Sequence, residues 1–144
     1  MEKQIKISVA SEDYIPQRAK PGDAGCDLKS RVETIIPPHM RAGIPVGIQT
    51  EIPEGYVGLI FARSGLALNY GIQMINGVGV VDPGYRGEYK VAIYNSDDHN
   101  AFKVNEGDRI AQLVIVPLIY PIWQVVGELS DSERGTVGFG STGV

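Results

Sequence analysis

The chain ends in Arg134-Gly-Thr-Val-Gly-Phe-Gly-Ser-Thr-Gly-Val144, residue types that suit a ligand made partly of phosphate and partly of a flat ring. Its glycines, Gly140 among them, let the backbone come close to a ligand and offer N–H donors with no side chain in the way. Ser141 and Thr142 add hydroxyl donors, Arg134 a charged fork matched to phosphate oxygens, and Phe139 a face on which a base can stack. A glycine-rich tail without a role has no need of an arginine and a phenylalanine. The stretch reads as a phosphate-and-base clamp. No Gly-Lys pair occurs anywhere in the chain, so it is not a Walker-type loop.

A second anion site is built differently. Arg63, Ser64 and Gly65 open the one stretch able to form a helix, residues 64–69, where Ser64 can cap the start and Gly71 the end. Free N–H groups at a helix start beside an arginine attract anions, and an ordinary cap explains Ser64 but not Arg63. Metal-ligand spacing is missing: His39 and His99 are far apart, Cys26 stands alone, and Asp97-Asp98-His99 reads as a solvated turn.

The elements that must position these groups are strands. Ile5, Ile7 and Val9 alternate with Gln4, Lys6 and Ser8, the pattern of a half-buried strand. Similar runs occupy residues 33–36, 45–51, 56–62, 72–74, 89–94, 108–116 and 123–126. Turn signals separate them, among them Pro21-Gly22-Asp23, Asn76-Gly77, Asp82-Pro83-Gly84 and Asn105-Glu106-Gly107. Eighteen glycines and nine prolines leave little room for a long helix. Many short strands predict an all-β sandwich, jelly roll or distorted barrel. With 144 residues the chain is expected to be one domain, a β core over 1–133 followed by a mobile arm over 134–144. Trp123 and Phe61 read as packing residues.

A net charge of −4 argues against a nucleic-acid surface but leaves a free nucleotide possible, since a pocket needs only a few local cations. One cysteine permits no internal disulfide, which suits a reducing, cytoplasmic setting. No run approaches the length of a membrane span, and no signal or transit peptide is in view.

Five segments mix glycine with charge beyond what strands need. They are Ala24-Gly-Cys-Asp-Leu28, Ala62-Arg-Ser-Gly-Leu-Ala67, Asn76-Gly-Val-Gly-Val-Val-Asp-Pro-Gly-Tyr-Arg-Gly87, Gly107-Asp-Arg-Ile-Ala-Gln112 and the terminal arm. In order and spacing they resemble the five motifs of the trimeric dUTPases, across nearly the whole chain. Two departures stand out: Ala62 where proline often precedes the Arg-Ser pair, and Cys26 where an aromatic is common.

The resemblance implies a jelly-roll-like homotrimer with shared active sites that hydrolyses dUTP at its α-phosphorus, releasing dUMP and pyrophosphate. Mg²⁺ would ride on the triphosphate and meet protein mainly through water. Asp82 would hold and partly deprotonate the attacking water. Backbone groups of Gly79, Val80 and Val81, with the Asn76 amide, would read the uracil edge, where cytosine inverts two groups and leaves buried partners unpaired. Tyr85 would lie under the deoxyribose, where a 2′-hydroxyl clashes; a cross-strand aromatic partner is its rival role. Lys90 would touch the site from the return strand, and Gln112 would contact phosphate. Asp27 reads as support for the water and neighbouring polar groups. Asp108 and Arg109 could equally form a turn ion pair. Two other readings stay open: a dCTP deaminase on a similar fold, and a non-catalytic nucleotide sensor.

Overall fold

The structure is a computed structural model that describes residues 3–138. The expected positions Phe139, Gly140, Ser141 and Thr142 lie outside the described residues. Strand β1 (Lys6–Val9) is followed by a 3-10 turn (Glu12–Tyr14), β2 (Cys26–Lys29), β3 (Thr34–Ile36), β4 (Arg41–Pro45), β5 (Ile48–Glu51) and β6 (Tyr56–Ala62). Helix α1 (Ser64–Tyr70) then leads to β7 (Ile72–Met74), β8 (Gly79–Val81), β9 (Lys90–Asn95), β10 (Phe102–Val104) and β11 (Arg109–Pro117). No helix among the described residues is long and apolar enough to cross a membrane.

All strand pairs are antiparallel. One sheet runs β2-β11-β6-β8 and another β4-β9-β7, with the pairs β1-β5 and β10-β3 alongside, making a jelly-roll-like distorted barrel. Period-2 alternation sends one face of each strand inward. In β9, Val91, Ile93 and Asn95 are buried between less buried neighbours. Val91 and Ile93 share one core cluster with Leu28, Ile44, Val46 and Val104, all fully buried, each worth ~1.5–3 kcal/mol in apolar burial. Buried Asn95 is satisfied: its side-chain amide donates to the carbonyls of Ile36 and Asn100, each at 2.9 Å.

Residues 56–62 and 72–74 form strands with the bounds that alternation predicts. The run 45–51 is broken instead. Pro45 ends β4, and Gly47, at φ 69°, turns the chain before β5. Residues 123–126 form no strand. Ile122 and Val125 are each 97% exposed and Trp123 85%, so Trp123 does not pack here, while Phe61 is half-buried. The β-like composition of 123–126 has no facing strand among the described residues, and composition alone does not make a ladder. Helix α1 also starts differently: Arg63 is its cap residue, and no side chain caps it. Its end matches expectation, with Gly71 left-handed at φ 64° and its N–H bonded to the Ala67 carbonyl.

Candidate active site

The chemistry-bearing residues gather in two clefts. Strand β6 serves both, with Ile60 in one wall and its exit, through Ala62 into Arg63, in the other. Among the described residues the two clefts have no lining residue in common.

The first cleft, about 350 Å³, is lined by Asp27, Arg63, Ser64, Gly65 and Gln112 together with residues 19 and 23–25. Strand β11 lies between β2 and β6, which sets Gln112 opposite both Asp27 and Phe61. The Gln112 amide nitrogen donates to the Ala62 carbonyl at 3.0 Å, leaving its second hydrogen for the cleft. Gly25 makes that placement possible: a Cβ there would stand 3.1 Å from Gln112 Cδ, close enough to displace the side chain.

Asp27 organises this cleft. One of its oxygens lies 3.1 Å from Arg63 Nε and the other 3.1 Å from Arg109 Nη1. Arg63 also donates to the Arg109 carbonyl at 3.0 Å. A single carboxylate shared by two guanidiniums neutralises neither fully, so donor capacity is left for phosphate oxygens. Arg109 owes its aim to a bulge. The register of β11 against β2 shifts between Arg109 and Ala111, which buries Ile110 and Ala111 in succession. Asp108 does not pair with Arg109. Its carboxylate caps the turn by accepting from the backbone N–H and side-chain amide of Asn105, at 2.8 and 3.1 Å. The motif around Gly107 was the signal for Arg109; its partner, 82 residues away, was not legible.

The second cleft, about 270 Å³, is lined by Asn76, Gly79, Val80, Val81, Asp82, Tyr85 and Lys90, with Ile60 and Tyr89 behind them. Among the described residues strand β8 pairs with β6 alone and forms an edge of its sheet. Alternate N–H and C=O groups of Gly79–Val81 therefore face away from the ladder and remain free to pair. Gly79 is buried against Ile60, whose Cβ a side chain at 79 would meet at 3.1 Å.

Asp82 follows β8 directly and is exposed. Among the described residues its carboxylate has no hydrogen-bond or ion-pair partner, and its carbonyl accepts the Tyr85 N–H at 3.1 Å. Tyr85 is 47% exposed, and its ring lies 6.2 Å from that of Tyr89. Burial pushes the Tyr89 phenol above its ordinary value, against a hydrogen bond shared with the Thr50 hydroxyl that lowers it. Asp27 does not line this cleft, so within one chain it supports the arginines and not the neighbourhood of Asp82.

Arg134 lines neither cleft. Its Nε donates to the Val137 carbonyl at 3.0 Å across a turn that Val137 N–H closes on the Arg134 carbonyl.

A family model described as dUTPase matches residues 12–143. The deoxyuridine 5'-triphosphate nucleotidohydrolase of Cutibacterium acnes is 43% identical over 137 residues, covering 95% of this chain and 90% of that protein. The chain belongs to the dUTPase family. A second such nucleotidohydrolase, from Desulfitobacterium hafniense, is 44% identical over 147 residues, covering 98% of this chain and 97% of its own. Among solved structures, the Staphylococcus bacteriophage 80alpha dUTPase with dUPNHPP superposes with a TM-score of 0.89 at 31% identity, over 99% of this chain and 100% of that one. A mutant dUTPase of phage phi11 of S. aureus, described with a structural Mg(II) ion, gives 0.81 at 28% identity over 90% of this chain and all of its own. The four dUTPase motifs ahead of the arm are thus carried by an antiparallel β barrel that splits them between two clefts.

Proposed function

We propose that this dUTPase hydrolyses dUTP to dUMP and pyrophosphate, lowering cytoplasmic dUTP and supplying dUMP for thymidylate synthesis. The observation that carries the reading is the Asp82 carboxylate, exposed and unpartnered among the described residues, at the end of an edge strand. The free backbone groups of that strand and the Asn76 amide suit the donor–acceptor edge of uracil. Tyr85 offers its ring to the deoxyribose, and Lys90 reaches the nucleotide from β9.

Asp82 orients a water against the α-phosphorus and accepts its proton. The new bond joins that water's oxygen to the α-phosphorus; the bond to the bridging oxygen breaks, and pyrophosphate leaves. Arg63, the N–H groups of Ser64 and Gly65, and Gln112 hold phosphate oxygens, so most of the acceleration comes from positioning and charge neutralisation.

The donors in the first cleft suit phosphate oxygens better than a cation, which fits Mg²⁺ carried by the triphosphate and its waters. Bound there, Mg²⁺ supplies further neutralisation of the phosphate charge. Asp82 is the chain's own group nearest that chemistry.

The working enzyme is a homotrimer with shared sites. Two observations support this. Each cleft alone holds only half of the groups one nucleotide needs. Residues 119–126 also leave Ile119, Ile122, Trp123 and Val125 each at least 85% exposed, surface that a lone chain seldom keeps bare. The arm, with Arg134, Phe139, Gly140, Ser141 and Thr142, closes over a neighbour's nucleotide.

Each dNTP and UTP, incubated with the protein and Mg²⁺, tests the reading by pyrophosphate release. We expect dUTP to be cleaved and dTTP, dCTP and UTP to be at least ~10²-fold slower. Comparable turnover of dCTP or UTP would remove the uracil–deoxyribose assignment. Orthophosphate as first product would remove attack at the α-phosphorus, and ammonia from dCTP would favour a deaminase.

A further inference from the structure

The loop between Asp82 and Tyr89 is held from outside the cleft it serves. The Tyr85 N–H closes a turn on the Asp82 carbonyl at 3.1 Å, and its hydroxyl donates to the Glu88 carbonyl at 3.2 Å. The ring consequently lies across Gly87. A Cβ at residue 87 would stand 2.6 Å from Tyr85 Cζ and 3.0 Å from Cε2. Gly87 is not among the glycines with positive φ, so the backbone does not demand glycine there. The ring does.

Glu88 supplies the second restraint. Its carbonyl receives the Tyr85 hydroxyl, while its carboxylate is held by a separate set of partners. Arg31 Nε lies 2.8 Å from Glu88 Oε1, Arg31 Nη2 donates to Oε2 at 3.1 Å, and the Gly47 N–H donates to Oε1 at 3.0 Å. The bidentate pair ties the residue beneath the tyrosine to the turn between β2 and β3, and the Gly47 N–H ties it to the β4–β5 corner. None of Arg31, Gly47, Gly87 and Glu88 lines the cleft that holds Asp82.

An aromatic ring half in solvent has several rotamers open to it, and a change of rotamer swings it by ångströms. Rejecting a 2′-hydroxyl by crowding requires the ring to hold its place within about 0.5 Å. We propose that Gly87 and the Arg31–Glu88 ion pair are positioning residues for the Tyr85 ring, setting the preference for deoxyribose over ribose from outside the cleft. The inference rests on Tyr85 being the platform for the sugar.

The test compares Gly87→Ala, Glu88→Gln, Tyr85→Ala and the double variant Tyr85→Ala/Gly87→Ala with the parent enzyme. kcat and KM are measured for dUTP and UTP with Mg²⁺, and each variant's melting temperature is recorded. Gly87→Ala should cut the dUTP-over-UTP preference at least ~10-fold, mainly by raising KM for dUTP. Glu88→Gln keeps the backbone carbonyl but loses the charge facing Arg31, and should cut the preference several-fold. The double variant should match Tyr85→Ala, since the three heavy atoms nearest a Cβ at 87 all belong to the Tyr85 side chain.

A preference within twofold of the parent in both Gly87→Ala and Glu88→Gln would overturn the inference. So would a Gly87→Ala loss that adds in full to that of Tyr85→Ala. Should Gly87→Ala not fold, a preference within twofold of the parent in Glu88→Gln, or a double variant whose preference differs from that of Tyr85→Ala, would overturn the inference instead. An unchanged preference in Tyr85→Ala is a separate outcome, which removes Tyr85 as the platform.

Discussion

One carboxylate oxygen of Asp27 lies 3.1 Å from Arg63 Nε, in an ion pair whose acidic side chain is only 15% exposed. The pair joins strand β2 to the residue that starts α1, so it sets where the guanidinium points as well as how much charge it shows. Removing the carboxylate should release Arg63. Asp27→Asn is expected to raise KM for dUTP ~10-fold and to cost about 1–3 kcal/mol of stability, the range for leaving a partly buried charged partner unmade. Steady-state kinetics beside denaturant titration checks both, and an unchanged KM would separate Asp27 from nucleotide binding.

Asp82→Asn should retain nucleotide binding while kcat drops at least ~10²-fold, because the amide cannot take the water's proton. Nucleotide affinity is measured by calorimetry and turnover by pyrophosphate release. A variant within a few-fold of parental kcat would take Asp82 out of its role.

Deleting residues 134–144 should leave assembly and melting temperature nearly unchanged, since a glycine-rich arm contributes little core, yet cost a large factor in turnover. Sharing is tested by refolding two inactive chains together, Asp82→Asn with its arm and the arm deletion with Asp82 intact. Activity should reappear above either parent. Verified mixed trimers that stay inactive would mean that the arm closes over its own subunit.

Alkaline pH should loosen the barrel beside Tyr85. Burial holds the Tyr89 phenol above the ordinary tyrosine value of about 10, so the folded chain keeps its proton longer than the unfolded chain. The stability tied to that proton is intact below about pH 10 and is lost as pH rises beyond it. Tyr14, raised chiefly by its hydrogen bond to Glu106, acts in the same direction. Denaturant midpoints between about pH 8 and 11 should fall with pH in the parent and fall less steeply in Tyr89→Phe. Equal slopes would exclude Tyr89 as a source of the effect.

Strands β6 and β7, the left-handed Gly71 and the motif residues were legible in the sequence because each rests on near neighbours: alternation, turn chemistry, a cap. Residues 123–126 carry the same β-like composition and form no strand, since pairing needs a partner that composition cannot supply. The tertiary structure alone decided that β8 sits at an edge, leaving its backbone free beside Asp82. It also decided that a bulge at Ile110 turns Arg109 onto Asp27, that Gly87 lies under Tyr85, and that the motifs ahead of the arm fall into two clefts. Local preferences act through bonded neighbours and survive as pattern. Contacts between residues 82 positions apart depend on which strands pair and in what register, and one chain's letters do not spell that out.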